Sequence, residues 1–447
     1  MPRSPLKSRA RAEKVCKGKV KMAEIIDVYA REILDSRGNP TIEAEVGLAD
    51  GTTGRASVPS GVSVGIHEAV ELRDKDLRRY GGKGVHKAVN TICEIIAPEI
   101  NGIDANEQDL IDKVMCHLDD TENKAMLGAN AILAVSLATA RAAAASKEQP
   151  LYRYLGGVQA SCLPVPFCSI LSGGPHIDND LDIQEFAVAP VGLPSFAEAV
   201  RASSEVFHAM RSMLHEKGLS TAVADEGAFA PQISHAQEAL DLIMSAIEKG
   251  GYKPGVDFYI AVNCAASEYY CPDAKIYELR GEGLNLNSES LTSFYDNLFK
   301  GYPVCSIEDP FEQSDWDAWC EFTRNHKLTH VLGDDLFSTN SEILRTGIEK
   351  GAANGIVVKP NQVGTLTETL EAIRLAQRRG LTTVLSHRSA ETEDTFIADL
   401  CVATNSRIIK CGGLSRAERI VKYNQLMRIE EALGEEAEYA GKYALRM

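Results

Sequence analysis

FYIAVN at 258–263, PVCSIED at 303–309, HVLGDD at 330–335, GIVVK at 355–359, TTVLSHRS at 382–389 and SRIIK at 406–410 share one design. Each is a short apolar run that ends in residues able to do chemistry: Asn263, Glu308 with Asp309, Asp334 with Asp335, Lys359, His387 with Arg388, and Lys410. From Glu308 onward these ends recur at intervals of roughly 25 residues, about the length of one βα unit. A (β/α)8 barrel of about 250 residues needs eight such units, and its chemistry sits at the C-terminal ends of the strands. Acids, lysines and an arginine at successive strand ends therefore outline an active site at the mouth of an α/β barrel.

Helical stretches at about 196–217, 234–249, 288–299, 341–350, 366–379 and 416–433 separate the runs. The first two barrel strands are not legible. Upstream the texture changes. Residues 25–34 are rich in β-formers, and Thr41–Leu48 alternates Ile42, Ala44, Val46 and Leu48 with Glu43 and Glu45 before an Ala49-Asp50-Gly51 turn. Helices follow at 84–100, 107–117 and 128–147, the last rich in alanine. Strands followed by helices predict a separate α+β domain. The expected organisation is a tail at 1–22, an N-terminal α+β capping domain at 23–158 and a barrel at 159–447, with Pro164 and Pro166 near the boundary.

The 447 residues suffice for a barrel plus a smaller domain. A net charge of −16 argues against nucleic acid or an anionic membrane as a partner attracted by bulk charge, but leaves room for a locally positive site. The 11 cysteines form no CxxC pair and read as buried free thiols. The most apolar helix, around Ala131 to Ala145, is interrupted by Ser136, Thr139 and Arg141, so no membrane insertion is expected. Before Met22 the chain carries Arg3, Lys7, Arg9, Arg11, Lys14, Lys17, Lys19 and Lys21 against Glu13 alone. With no apolar core, this stretch reads as a disordered basic tail, or as an upstream start chosen in place of Met22.

Taken alone, Glu308 and Asp334 are hard oxygen donors suited to Mg2+. Each is equally an ordinary salt-bridge acid. Lys359 inside a barrel mouth is costly unless paired or used. Its plain alternative is a structural ion pair with Glu308 or Asp334.

The chain also resembles the enolases from Glu24 to nearly its C-terminus. The resemblance is carried by REILDSRGNPTIEAEV at 31–46, GANAILAVSLA at 128–138, DIQEF at 182–186, ADEGAFAP at 224–231, SIEDPF at 306–311, GDDLFSTN at 333–340, NQVGTLTET at 361–369, SHRSAETEDTFIADL at 386–400 and KYNQLMRIEEALG at 422–434. It implies an enolase-type barrel under a capping domain, and dehydration of 2-phosphoglycerate to phosphoenolpyruvate in glycolysis. By the same resemblance, Lys359 is the general base and must be neutral, its pKa lowered by Lys410 and the metals. Glu226 protonates the leaving hydroxyl, and Glu185 shares its acidic cluster. Gln184 binds substrate, Arg388 and Ser389 clamp the phosphate, and Lys410 and Glu185 also face the substrate. His176 and His387 lie near it. Two Mg2+ ions are implied: one on Asn263, Glu308 and Asp334, and a second that Ser63 ligates when substrate arrives. The resemblance further implies a cytoplasmic homodimer or octamer whose partner is a small phosphorylated anion, with no nucleic acid required.

Some positions depart from the family pattern. Asn263 stands where an aspartate is expected; its amide oxygen can ligate a hard cation, but the lost charge should weaken binding. Ser172 replaces an asparagine, Ala224, Ala228 and Ala390 replace glycines, Pro360 follows Lys359, Val62 and Val64 flank Ser63, and Cys411 follows Lys410. These changes keep a binding or scaffolding paralogue open as an alternative. An acid-sugar dehydratase and a Schiff-base aldolase at Lys359 are further alternatives; SHRS and Lys410 fit a phosphorylated substrate better than either.

Overall fold

The computed structural model describes residues 23–61, 65–175 and 177–446. The basic tail, Val62, Ser63, Val64 and His176 lie outside the described residues. The chain begins with a three-stranded antiparallel sheet of β1 (Ile25–Leu34), β2 (Pro40–Leu48) and β3 (Thr53–Ser57), in that order. Ile42, Ala44, Val46 and Leu48 are all buried, as a period of two requires of a half-covered sheet. Helix Ala129–Ser146 packs on this sheet. By length and mean hydropathy it could cross a membrane, which its interrupting polar residues do not prevent. Instead it is a core helix, 83% buried. Thr139 Oγ1 donates to the Val135 carbonyl within the helix, and Arg141 forms a two-pronged pair with Asp394 of the barrel at 2.8 Å.

The second domain is a closed eight-stranded barrel. Its strands are β4 (Val165–Ser172), β5 (Glu185–Ala189), β6 (Tyr259–Asn263), β7 (Val304–Glu308), β8 (His330–Gly333), β9 (Gly355–Val358), β10 (Thr382–Ser386) and β11 (Ile408–Gly413). They follow one another around the barrel in chain order, and β11 closes on β4. Six of them match the runs read from the sequence. The barrel is mixed: β5 is antiparallel to both β4 and β6. The described residues between β4 and β5 carry no helix, and a parallel return needs a long crossover. The chain therefore folds back as a hairpin pairing Ser172 with Glu185. The reversal brings the first residue of β5, rather than its last, to the mouth.

Helices Trp316–Asn325 and Phe396–Ala403 were not legible in the sequence. The second is buried throughout and so has no polar face. The N-terminal domain docks at the mouth of the barrel. Ser36 N–H donates to the Glu391 carbonyl at 2.7 Å, and Ser57 N–H donates to Asp394 Oδ2 at 3.0 Å. Asp112 accepts from the Thr367 amide at 3.0 Å, and Ser136 Oγ accepts from the Leu366 amide at the same distance. The described cysteines are all free thiols.

At the opposite end of the barrel, buried His330 ties the C-terminal segment to the floor. Its Nε2–H donates to the Ala444 carbonyl at 2.7 Å, and Nδ1 accepts from Thr382 Oγ1 at 3.0 Å. Burial lowers its pKa from 6.5 to about 4. A depressed folded-state pKa gives stability that is full above 6.5 and is lost as pH falls towards 4. The loss attributable to His330 should be about 3 kcal/mol. Denaturant unfolding of the natural chain and His330→Gln at pH 7, 6 and 5 should show a shallower acid decline in the variant.

Candidate active site

The barrel registry gathers the mouth residues. Ser172 pairs with Glu185, Glu185 with Asn263, and Asn263 with Glu308, so four neighbouring strands present polar ends side by side. Lys410 pairs with Ser386 on the other flank. All of these line one cavity, together with Gln184, Glu226, Asp334, Lys359, His387, Arg388 and Ser389.

Lys410 crosses the mouth. Its Nζ lies 2.9 Å from Glu185 Oε2, and 2.8 and 3.0 Å from the two Glu308 oxygens. Burial pulls the lysine pKa down, but the two carboxylates outweigh it and leave it raised. Glu185 responds in kind: burial pushes it up, yet Lys410 and a hydrogen bond from Ser169 Oγ hold it below its ordinary value. Glu308 is different. Burial and the nearby Asp334 charge overcome Lys410 and raise it to about 7.

Glu226 stands on a loop braced by backbone. Gly413 N–H donates to the Glu226 carbonyl at 2.7 Å, and a Cβ on Gly413 would sit 2.3 Å from the Gly227 carbonyl oxygen. Only glycine permits that approach. Burial, then the charge of Glu185, raises the Glu226 pKa. His387 Nε2 lies 3.9 Å from Glu226 Oε2. Arg419, with no exposed side chain, donates to His387 Nδ1 at 2.5 Å, and to the carbonyls of Arg388 at 2.5 Å and Ser389 at 2.6 Å. A guanidinium can only donate, so Nδ1 accepts and the neutral ring carries its proton on Nε2, facing Glu226. Burial and the Arg419 charge keep His387 neutral by pushing its pKa well down.

Lys359 Nζ is hydrogen-bonded to Asp334 Oδ2. The sequence reading required a lowered lysine pKa. Here burial and Arg388 lower it, but Asp334 outweighs them and the net shift is upward. The Asp334 carboxylate is the partner that holds the proton on, and its own pKa is depressed in return, against burial. Asp334 Oδ1 accepts from Gln362 Nε2 at 3.0 Å. Oxygens of Asp309, Asp334 and Asp335 lie within 4.8 Å of one another, and burial with the Asp334 charge raises Asp335 to about 7. Asn263 Oδ1 accepts from the Ala265 amide at 3.0 Å and retains a second lone pair. Crowded carboxylates plus an amide oxygen form a donor set that fits a hard cation.

Every sequence-assigned site residue among the described ones reaches this cavity; Ser63 and His176 cannot be placed. Sequence reasoning named Asp309 and Asp335 as strand-end acids without giving them a role, and missed Glu68, Gln362 and Arg419 as parts of the site. Asp309 and Asp335 adjoin assigned acids, and Gln362 lies in a quoted motif, but no pattern distinguishes the buried Arg419 from a surface helix arginine. Among the described residues, the departures from the family pattern bring no positive φ. Ala224, Ala228 and Ala390 do not have positive φ. Pro360 occupies the first turn of helix Pro360–Val363, where proline is tolerated, after an extended Lys359.

These groups define a class: an α/β barrel whose mouth gathers a donor set that fits a hard cation beside cationic side chains that fit a small anion. Sequence comparison is more specific. Residues 25–155 match the enolase N-terminal domain, residues 160–447 match the enolase C-terminal TIM barrel domain, and the chain belongs to the enolase family. Membership implies a hydro-lyase acting between 2-phosphoglycerate and phosphoenolpyruvate, a phosphorylated substrate and the use of Mg2+.

Lys410→Met should leave Glu185 and Glu308 buried without their cation. Breaking a buried pair from one side costs about 3–5 kcal/mol. The deficit against the natural chain should shrink as pH falls from 8 to 5, because both carboxyls can then protonate. Thermal unfolding across that range checks it.

Proposed function

We propose that this chain catalyses the reversible dehydration of 2-phosphoglycerate to phosphoenolpyruvate, with Lys359 as general base and Glu226 as general acid. The observation that carries this is the cavity that holds Lys359 beside Asp334 and Glu308, Glu226 beside neutral His387, and Arg388 beside Ser389. Glu308, Asp334 and Asn263 would hold the first Mg2+ and Ser63 the second. When bound, Mg2+ would supply positive charge for the developing ene-diolate, and Asp334, as one of its ligands, would be less available to hold a proton on Lys359; enolase-superfamily use of a lysine or histidine base with Mg2+ is an established pattern.

The chain's own residues supply the rest. Arg388 and Ser389 bind the phosphate, where a planar guanidinium matches phosphate oxygens. Gln184 and Lys410 orient the substrate. Lys359 removes the proton from the carbon next to the carboxylate, and the electron pair moves into that carboxylate. The pair then returns to form the double bond as the hydroxyl departs. Glu226, whose raised pKa keeps a proton available, protonates the departing oxygen so that it leaves as water. Glu185, tied to Lys410, keeps its charge beside Glu226 and so maintains that proton.

Formation of phosphoenolpyruvate, followed by ultraviolet absorbance, should require Mg2+, and a chain silent at saturating Mg2+ would overturn the assignment. Lys359→Ala should lower kcat by about 10³-fold. Glu226→Gln should also block product formation, yet it should still exchange the substrate's acidic proton with solvent deuterium, which Lys359→Ala should not. Asn263→Asp should tighten Mg2+ binding, measured by calorimetry without substrate, by roughly tenfold or more, because a charged ligand replaces a neutral one. Unchanged affinity would show that Asn263 is not a ligand.

A further inference from the structure

Glu68 belongs to the N-terminal domain, yet its side chain is only 5% exposed and engages the barrel. Its Oε2 lies 3.0 Å from Arg388 Nη1, and its Oε1 accepts from the same nitrogen at 3.1 Å. Oε1 also accepts from Gln362 Nε2 at 3.2 Å and from Gly65 N–H at 3.2 Å. The segment is pinned nearby, where Ala69 N–H donates to the Gln362 carbonyl at 2.8 Å. Arg388 lines the cavity and Glu68 does not, so the carboxylate grips the guanidinium from behind the site.

The second contact runs to the other half of the machinery. The Gln362 amide nitrogen that donates to Glu68 also donates to Asp334, whose other oxygen holds Lys359. Gln362 cannot flip, because Thr339 Oγ1 donates to its Oε1 at 2.6 Å, and the Lys359 amide donates to that same Thr339 oxygen at 2.9 Å. One carboxylate therefore touches the anion clamp, Arg388, and the amide that holds Asp334, the lysine's partner.

We propose that Glu68 is a positioning residue of this active site, holding Arg388 for phosphate and, through Gln362, setting Asp334 and Lys359. Resting on the assignment of Arg388 to phosphate, it gives the N-terminal domain a second role at the barrel's site beside the one proposed for Ser63. Glu68 also neutralises part of the Arg388 charge, so the two effects of removing it have opposite signs. Loss of the charge should strengthen attraction for an anion, while loss of the grip should misplace the clamp and the lysine.

The test uses the full chain with inorganic phosphate as probe and 2-phosphoglycerate as substrate. In Glu68→Gln, phosphate binding by calorimetry should tighten roughly 3- to 10-fold, while kcat falls roughly 10- to 100-fold, the scale of a misplaced catalytic group. The phosphate effect should vanish in an Arg388→Ala background, since the coupling needs both partners. Glu68→Asp keeps the charge, so it should leave phosphate affinity within about twofold yet still lower kcat; it also serves should Glu68→Gln not fold. Phosphate affinity and kcat falling together, or neither moving, would overturn the proposal. A natural chain that binds phosphate through Arg388 without turning over 2-phosphoglycerate would refute the catalytic assignment alone; tighter phosphate binding in Glu68→Gln would then still support the coupling of Glu68 to Arg388.

Discussion

Lys410 reaches from β11 across the mouth of the barrel and places one ammonium between Glu185 of β5 and Glu308 of β7. Removing three charges from water is tolerable only because each oxygen and proton meets a partner at hydrogen-bond distance. The arrangement has two consequences. It ties non-adjacent strands together at the end where the barrel does its chemistry. It also divides the acids by role: Glu185 keeps its charge, while Glu226 and Glu308, with less compensation, are pushed up. The proposed proton donor and the proposed cation ligand thus arise from one distribution of buried charge.

A second hub is Arg419, whose guanidinium is fully buried and bonds mainly to carbonyls. It joins the Asp225 carbonyl at 3.2 Å to the segment from His387 to Ser389, and it fixes the tautomer of His387. A neutral histidine facing Glu226 is therefore a result of packing by helix Ala417–Leu433, whose residues touch no substrate in the proposed reaction. The N-terminal domain works in a similar way from the other side. Arg37 pairs with Asp225 at 2.8 Å, and Glu68 pairs with Arg388. Groups on two domains thus hold the same few loops.

The barrel was legible because parallel strands buried on both faces read as continuous apolar runs. The six runs from β6 to β11 have that character, and their polar ends fall at the mouth. The first two strands were not legible for a physical reason. β5 runs backwards, so its functional residue precedes the apolar run, and a search for polar ends cannot find Glu185. Only resemblance to a family motif singled it out. The helix Phe396–Ala403 was hidden because burial on all sides erases the amphipathic stripe. Asp334, Lys359, His387, Arg388 and Lys410 could be named from spacing. The Lys359–Asp334 pair was among the readings, but more distant partners were not: Glu68 lies 320 residues from Arg388, and Gln362 lies 294 residues from Glu68.

The sequence by itself determined which residue types reach the barrel mouth, since strand periodicity and βα spacing are local properties of the chain. It also determined the family, through motifs that need no coordinates. Tertiary structure alone decided the state of each group. Lys359 is held protonated by Asp334 rather than loosened by Lys410, His387 is neutral with its proton on Nε2, and Glu308 sits near 7 while Glu185 stays charged. Those states depend on burial and on the distance to the nearest opposite charge. Both are set by the contact of segments far apart in the chain, which no local pattern encodes.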